Sequence, residues 1–217
     1  MKKALCLPAA ILGILFFGRT ALGGFSIYGD RTYANWRIDG TTDLAIFCTL
    51  GGEYRTGVFF TGGFYSFAAK FDPAPVSYDY KLDLSGFYSG KIVAGNDAYG
   101  LSVICGYYAY NWTIIAPPNI LSFNATSLAL GLKGTSRTKP VSGSLAYMFG
   151  ISDSFTVSNN TEILDSQDPG FTLLDVQAYL AFSRNAGACL IYRYLSVTDS
   201  NENYGAAGFG LGIQASF

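Results

Sequence analysis

The stretch 203–217, NYGAAGFGLGIQASF, alternates strictly over its last nine residues. Phe209, Leu211, Ile213, Ala215 and Phe217 fall on one side, and Gly210, Gly212, Gln214 and Ser216 on the other. A period of two belongs to a strand with one apolar face and one polar or empty face. The stretch also closes on an aromatic side chain, where chain ends more often carry small or polar residues.

The same period recurs upstream. It predicts strands near 25–38, 43–52, 57–70, 77–93, 98–113, 122–133, 141–150, 172–183, 188–198 and 204–217. Breaks such as DPAPVS, AGNDAYG, APPN, GTSRTKP and RNAG separate them, in the composition of turns. No helical period competes with this pattern outside the first residues. Residues 1–24, MKKALCLPAAILGILFFGRTALGG, read as a cleaved signal peptide: Lys2 and Lys3 are followed by an apolar run and then by small residues. That run is shorter than the ~20 residues of a helical span. Residues 25–217 are expected to form a single domain. Loss of Lys2, Lys3 and Arg19 turns the formal net charge from −1 to −4, which leaves no basic patch for nucleic acid.

Composition says what surrounds the strands. Charged residues are 13% of the chain and aromatic residues 16%, whereas globular domains carry about 25% charged residues. Leu128, Leu130 and Leu132 oppose Ala129, Gly131 and Lys133, while Val141, Leu145, Tyr147 and Phe149 oppose Ser142, Ser144 and Ala146. Leu174, Val176, Ala178, Leu180 and Phe182 oppose Asp175, Gln177 and Tyr179. The strands are longer than those of a soluble sandwich, and their second face holds Gly, Ser and Ala. Tyr28, Tyr33, Trp36, Tyr78, Tyr80, Tyr107, Tyr108, Tyr110, Trp112 and Tyr204 crowd the strand ends like the aromatic girdles of a membrane barrel. The expected fold is all-β: a closed antiparallel up-and-down transmembrane β-barrel of about ten strands, eight being the alternative.

In a barrel the polar face lines the lumen. Asp79, Lys81, Asp83, Lys133, Asp175, Tyr179 and Arg193 are the candidate lumen residues. Arg193 is placed there on energy, since a lipid-facing Arg near the midplane costs about 2–4 kcal/mol. It is expected opposite Tyr179, with Asp175 or Gln177 on the diagonal. The face of Tyr78, Tyr80, Leu82, Leu84 and Tyr88 is expected to meet lipid, and strand 57–70 has aromatics on both faces. Short turns are expected near 52–56, 94–98, 134–140 and 184–187, and the longest outer loop at 151–171.

The chain contains no His, which removes the usual general base near neutral pH. No nucleophile elbow, zinc-helix motif or phosphate loop occurs, and Asp79 and Asp83 with Lys81 between them read as an ion-pair network. No enzyme, metal or cofactor is expected. The acidic loop 151–171 is read as solvated, a Ca²⁺ site or a receptor-binding loop being the alternative. Cys48, Cys105 and Cys189 lie in apolar runs and read as small hydrophobes, with a single disulfide as the alternative.

The signal, the alternating strands and the terminal Phe resemble the outer-membrane β-barrel proteins of bacteria. Among the small members the chain is similar in size to opacity-type and outer-membrane-protein-W-like barrels, which typically have eight strands. The resemblance implies the outer membrane as location and its lipids as surroundings; the chain is expected to be a monomer with no nucleic-acid partner. It also implies recognition of Phe209, Leu211, Ile213 and Phe217 by the barrel-assembly machinery. Two functions stay open: a narrow pore for small solutes, towards which the Gly and Ala of the lumen face tilt the reading, and a structural or surface-interaction barrel with a plugged lumen.

Overall fold

The computed structural model describes residues 24–38, 41–71, 79–116, 118–138, 140–159, 162–165, 170–183, 185–198 and 203–217. Apart from Gly24, the expected signal segment lies outside them. The strands are β1 (Gly24–Ile38), β2 (Thr41–Thr56), β3 (Phe59–Phe71), β4 (Asp79–Gly95), β5 (Tyr99–Ala116) and β6 (Asn119–Ser136). They continue as β7 (Val141–Asn159), β8 (Glu162–Asp165), β9 (Gly170–Ala181), β10 (Ala186–Thr198) and β11 (Asn203–Ser216).

Ten of these strands close into an antiparallel barrel, and β8 pairs only with the far end of β7. The barrel is sealed where β11 pairs with β1, from Ser26 opposite Ser216 to Arg37 opposite Gly205. Two backbone bonds extend that seam: Phe25 N–H donates to Phe217 O at 3.2 Å, and Phe217 N–H donates to Phe25 O at 2.8 Å. The alternating C-terminal stretch is therefore the closing strand. A closed ring leaves no edge with unpaired N–H and C=O groups, which is the condition for a sheet to sit in lipid.

Short turns at 57–58, 96–98, 137–140 and 182–185 mark one end of the barrel, called here the turn end. Gly57 adopts φ 57° in the tightest of them, a conformation that side chains with a Cβ avoid. The other end, called here the loop end, is where β7 runs on past Phe149 and pairs with β8. The first expected turn moves outward to 57–58 because β2 runs on to Thr56. The segment 25–38 is a full strand, so the count is ten rather than eight. The expected loop 151–171 is corrected: β7 continues through a bulge near Gly150 to Asn159 and folds back as β8. Phe155, buried at 1% exposure, anchors that extension inside the barrel.

The exterior is the apolar face expected for lipid contact. Leu101, Val103, Leu128, Leu130, Leu132, Leu145, Leu180, Leu190, Leu211 and Ile213 are all exposed there. Tyr33 and Tyr107 face outward with them, but Tyr28, Tyr108, Tyr110 and Trp112 turn inward and belong to no girdle. The side chains of Trp36, Tyr78, Tyr80 and Tyr204 lie outside the described ones. In β3, Phe60, Phe64 and Ser66 point inward and Phe59, Tyr65 and Phe67 outward, which orients the strand with aromatics on both faces.

Candidate functional site: the barrel lumen

The interior changes character along the barrel axis. Its loop half is apolar: Phe47, Leu82, Leu84, Tyr110, Trp112, Phe123, Phe155, Leu195 and Val197 are buried in one cluster. Trp112 stacks on Phe123 with ring centroids 4.6 Å apart, and Phe123 on Phe155 at 6.4 Å. Face alternation puts these groups inside because each strand carries them in phase with the closing register.

At mid-height a polar layer crosses the lumen. Arg193 of β10 pairs with Asp175 of β9, its Nη2 at 2.7 Å from Oδ2 and its Nε donating to the same oxygen at 2.8 Å. The two residues are directly opposite in the ladder, so the expected partner Tyr179 is corrected to Asp175. The connecting turn at 182–185 sits about two residues earlier than read from the sequence, which shifts the register. The guanidinium reaches the far wall, where Nη1 donates to Thr49 Oγ1 at 3.3 Å and Ser66 Oγ at 3.4 Å. Its Cζ lies 4.9 Å from the Phe64 ring centroid. Phe64, Tyr108 and Phe171 then form a chain of rings from β3 to β9, with centroid spacings of 6.2 and 5.3 Å.

A second crossing lies nearer the turn end. Lys133 Nζ on β6 donates to Glu53 Oε2 on β2, and Tyr88 Oη donates to the same carboxylate oxygen at 3.1 Å. Arg55 Nη2 lies 3.3 Å from Glu53 Oε1. Between the crossings lies a void of about 40 Å³, and on the loop side of Arg193 one of about 30 Å³, each with room for a water or two. Below Glu53 the lumen widens into a polar vestibule of about 470 Å³, open at the turn end.

Of the seven candidate lumen residues, Lys133, Asp175, Tyr179 and Arg193 lie on the inner wall. Lys81 and Asp83 do not: they face outward, Asp83 accepting a hydrogen bond from Tyr65 Oη at 2.8 Å. The partner face of that strand, Leu82, Leu84 and Tyr88, fills the interior instead. The side chain of Asp79 lies outside the described ones. Phe209, Leu211 and Ile213 point outward into the lipid band, and Phe217 is 53% exposed at the turn end. Sequence reasoning missed Tyr28, Asp30, Thr49, Glu53, Arg55 and Ser66. Thr49, Glu53 and Arg55 share one face of β2, a signal lost by ending that strand at residue 52.

The glycines of the inner wall do not leave space. A Cβ on Gly86 would come within 2.6 Å of the Tyr108 ring and 2.7 Å of the Phe64 ring, and one on Gly62 within 2.7 Å of Tyr88. Each such glycine is the seat of an aromatic ring from a neighbouring strand. Cys48 and Cys105 face outward and Cys189 inward, all as free thiols. No group of metal-binding side chains occurs among the described residues.

No protein-family model and no curated protein matches the chain. Its fold is matched by solved structures. The outer membrane protease OmpT from Escherichia coli superposes with a TM-score of 0.63 at 11% identity, over 90% of this chain and 96% of that one. Neisserial surface protein A gives 0.47 at 15% identity, over 89% and 97% of the two chains. Ail, the attachment invasion locus protein of Yersinia pestis, gives 0.42 at 13%, over 90% and 99%. At 11% identity, what the chain shares with OmpT is the fold. The chain has the architecture of the bacterial outer-membrane β-barrels, and its closed ring and apolar exterior suit that membrane.

Proposed function

We propose that this protein is a non-enzymatic outer-membrane barrel with a closed lumen, acting as a structural or surface-interaction barrel rather than as an open pore. The observation that carries the reading is the stack of obstructions along the axis: the apolar plug, the Arg193–Asp175 crossing and the Lys133–Glu53 crossing. A hydrated ion would have to displace packed rings and break two ion pairs to pass. The aromatic rings seated on Gly86 and Gly62 of the inner face support the closed reading against a narrow pore. In planar bilayers the refolded protein is expected to stay electrically silent. Discrete, reproducible single-channel steps from heat-modifiable, folded protein would overturn this reading in favour of the pore.

Delivery to the membrane is part of the proposal. The outward Phe209, Leu211, Ile213 and Phe217 present one apolar edge that the assembly machinery reads before the ring is closed. Deleting Phe217, or replacing it with Asp, is expected to lower sharply the amount of protein in the outer membrane. Refolding of the purified Asp variant in detergent should change little, because the Phe217 side chain is exposed and the backbone bonds to Phe25 are kept. Normal assembly of both variants in cells would refute the role.

A further inference from the structure

The vestibule at the turn end is a large interior volume that no described side chain fills. At about 470 Å³ it falls within the size range of small-molecule sites. Its floor is the Lys133–Glu53–Tyr88 network, so a molecule entering from the turn end meets a closed base. Three cations line it, Arg55, Lys133 and Arg137, against the single acidic side chain of Glu53. That carboxylate already takes hydrogen bonds or ion-pair contacts from Arg55, Lys133 and Tyr88, which leaves little of it for an incoming cation. The cations, by contrast, keep unused donors: a guanidinium offers five N–H groups and an ammonium three. Around them stand the hydroxyls of Thr135, Ser136, Ser142 and Ser144 and the amides of Gln177 and Gln214.

We infer that this vestibule is a binding site for a small hydroxylated anion, an organic phosphate or carboxylate, held by Arg55 and Arg137 above the Lys133–Glu53 floor. The donor surplus selects an anion. The ring of hydroxyl and amide groups selects a polyhydroxylated body, whose hydroxyls both donate and accept. The site is blind, because the crossings above it stop the ligand from leaving by the loop end. The inference concerns the vestibule alone and stands whether or not the crossings above it conduct.

The test is isothermal titration of the refolded protein with glucose 6-phosphate, glucose and inorganic phosphate as separate probes. Glucose 6-phosphate should bind with a Kd of about 1 mM or tighter, and glucose much more weakly. Inorganic phosphate should fall between them, since it keeps the charge and lacks the hydroxylated body. Arg137→Ala, at the exposed rim, should weaken glucose 6-phosphate about tenfold, and Arg55→Ala at least as much. Lys91→Ala, on the outer wall, should leave the affinity unchanged. Heat modifiability on gels verifies that each variant is folded, and if Arg55→Ala is not, Arg137→Ala decides alone. No binding by the folded wild type, equal binding of glucose, or an unchanged affinity in Arg137→Ala would each overturn the inference. A channel recorded in bilayers would refute the closed lumen and leave this titration unaffected.

Discussion

Replacing Arg193 with Ala is expected to cost the folded barrel about 3–5 kcal/mol, the usual penalty for breaking a buried ion pair from one side. Arg193 is 8% exposed and is the only cation within ion-pair distance of Asp175 among the described residues. Without it the carboxylate keeps one hydrogen bond, from Gln177 Nε2 at 2.8 Å, in a space too small for a full hydration shell. Urea unfolding of the refolded protein measures the loss. The double variant Arg193→Met with Asp175→Leu should recover most of it, since apolar replacement of a buried pair is often neutral or better. A single variant within about 1 kcal/mol of wild type would mean that the pair is solvated, as in a wet lumen.

In the sequence it is energy rather than pattern that assigns this arginine to the interior. In β10 the aliphatic count pointed Ile191, Arg193, Leu195 and Val197 towards lipid, and the cost of a lipid-facing charge outweighed it. The structure buries all four inside. The same logic failed in β4, where Lys81 and Asp83 were read as the wet inner face. A period of two separates two faces but does not say which is inner. Near the loop end the interior is an apolar plug, so the outer face can carry Lys81 and Asp83 while Leu82 and Leu84 pack against it. Strand existence was legible because alternation is local. The plug was not, because it depends on which rings from distant strands meet across the lumen.

The inner-wall glycines hold the second large effect. If the lumen were an open conduit, Gly86→Leu would narrow it at little cost to stability. The structure predicts the opposite. Tyr108 and Phe64 lie where the new side chain would stand, at 2.6 and 2.7 Å from even its Cβ. Moving them breaks the ring chain that ends on Phe171. Overpacking of this kind costs about 1–3 kcal/mol, and Gly86→Leu should fall at the upper end, because two rings from different strands must shift together. Gly134→Ala is the control on the outer face: its nearest neighbour atom is Leu145 O at 4.0 Å, so the added methyl meets no obstruction. That variant should be neutral or slightly stabilising, since a strand glycine is less favourable than alanine where φ permits both. Denaturant midpoints of the two variants, read against wild type, separate a filled barrel from an empty one. Equal stability of Gly86→Leu and Gly134→Ala would show that the rings move aside freely, and the plug would then be no barrier to a solute.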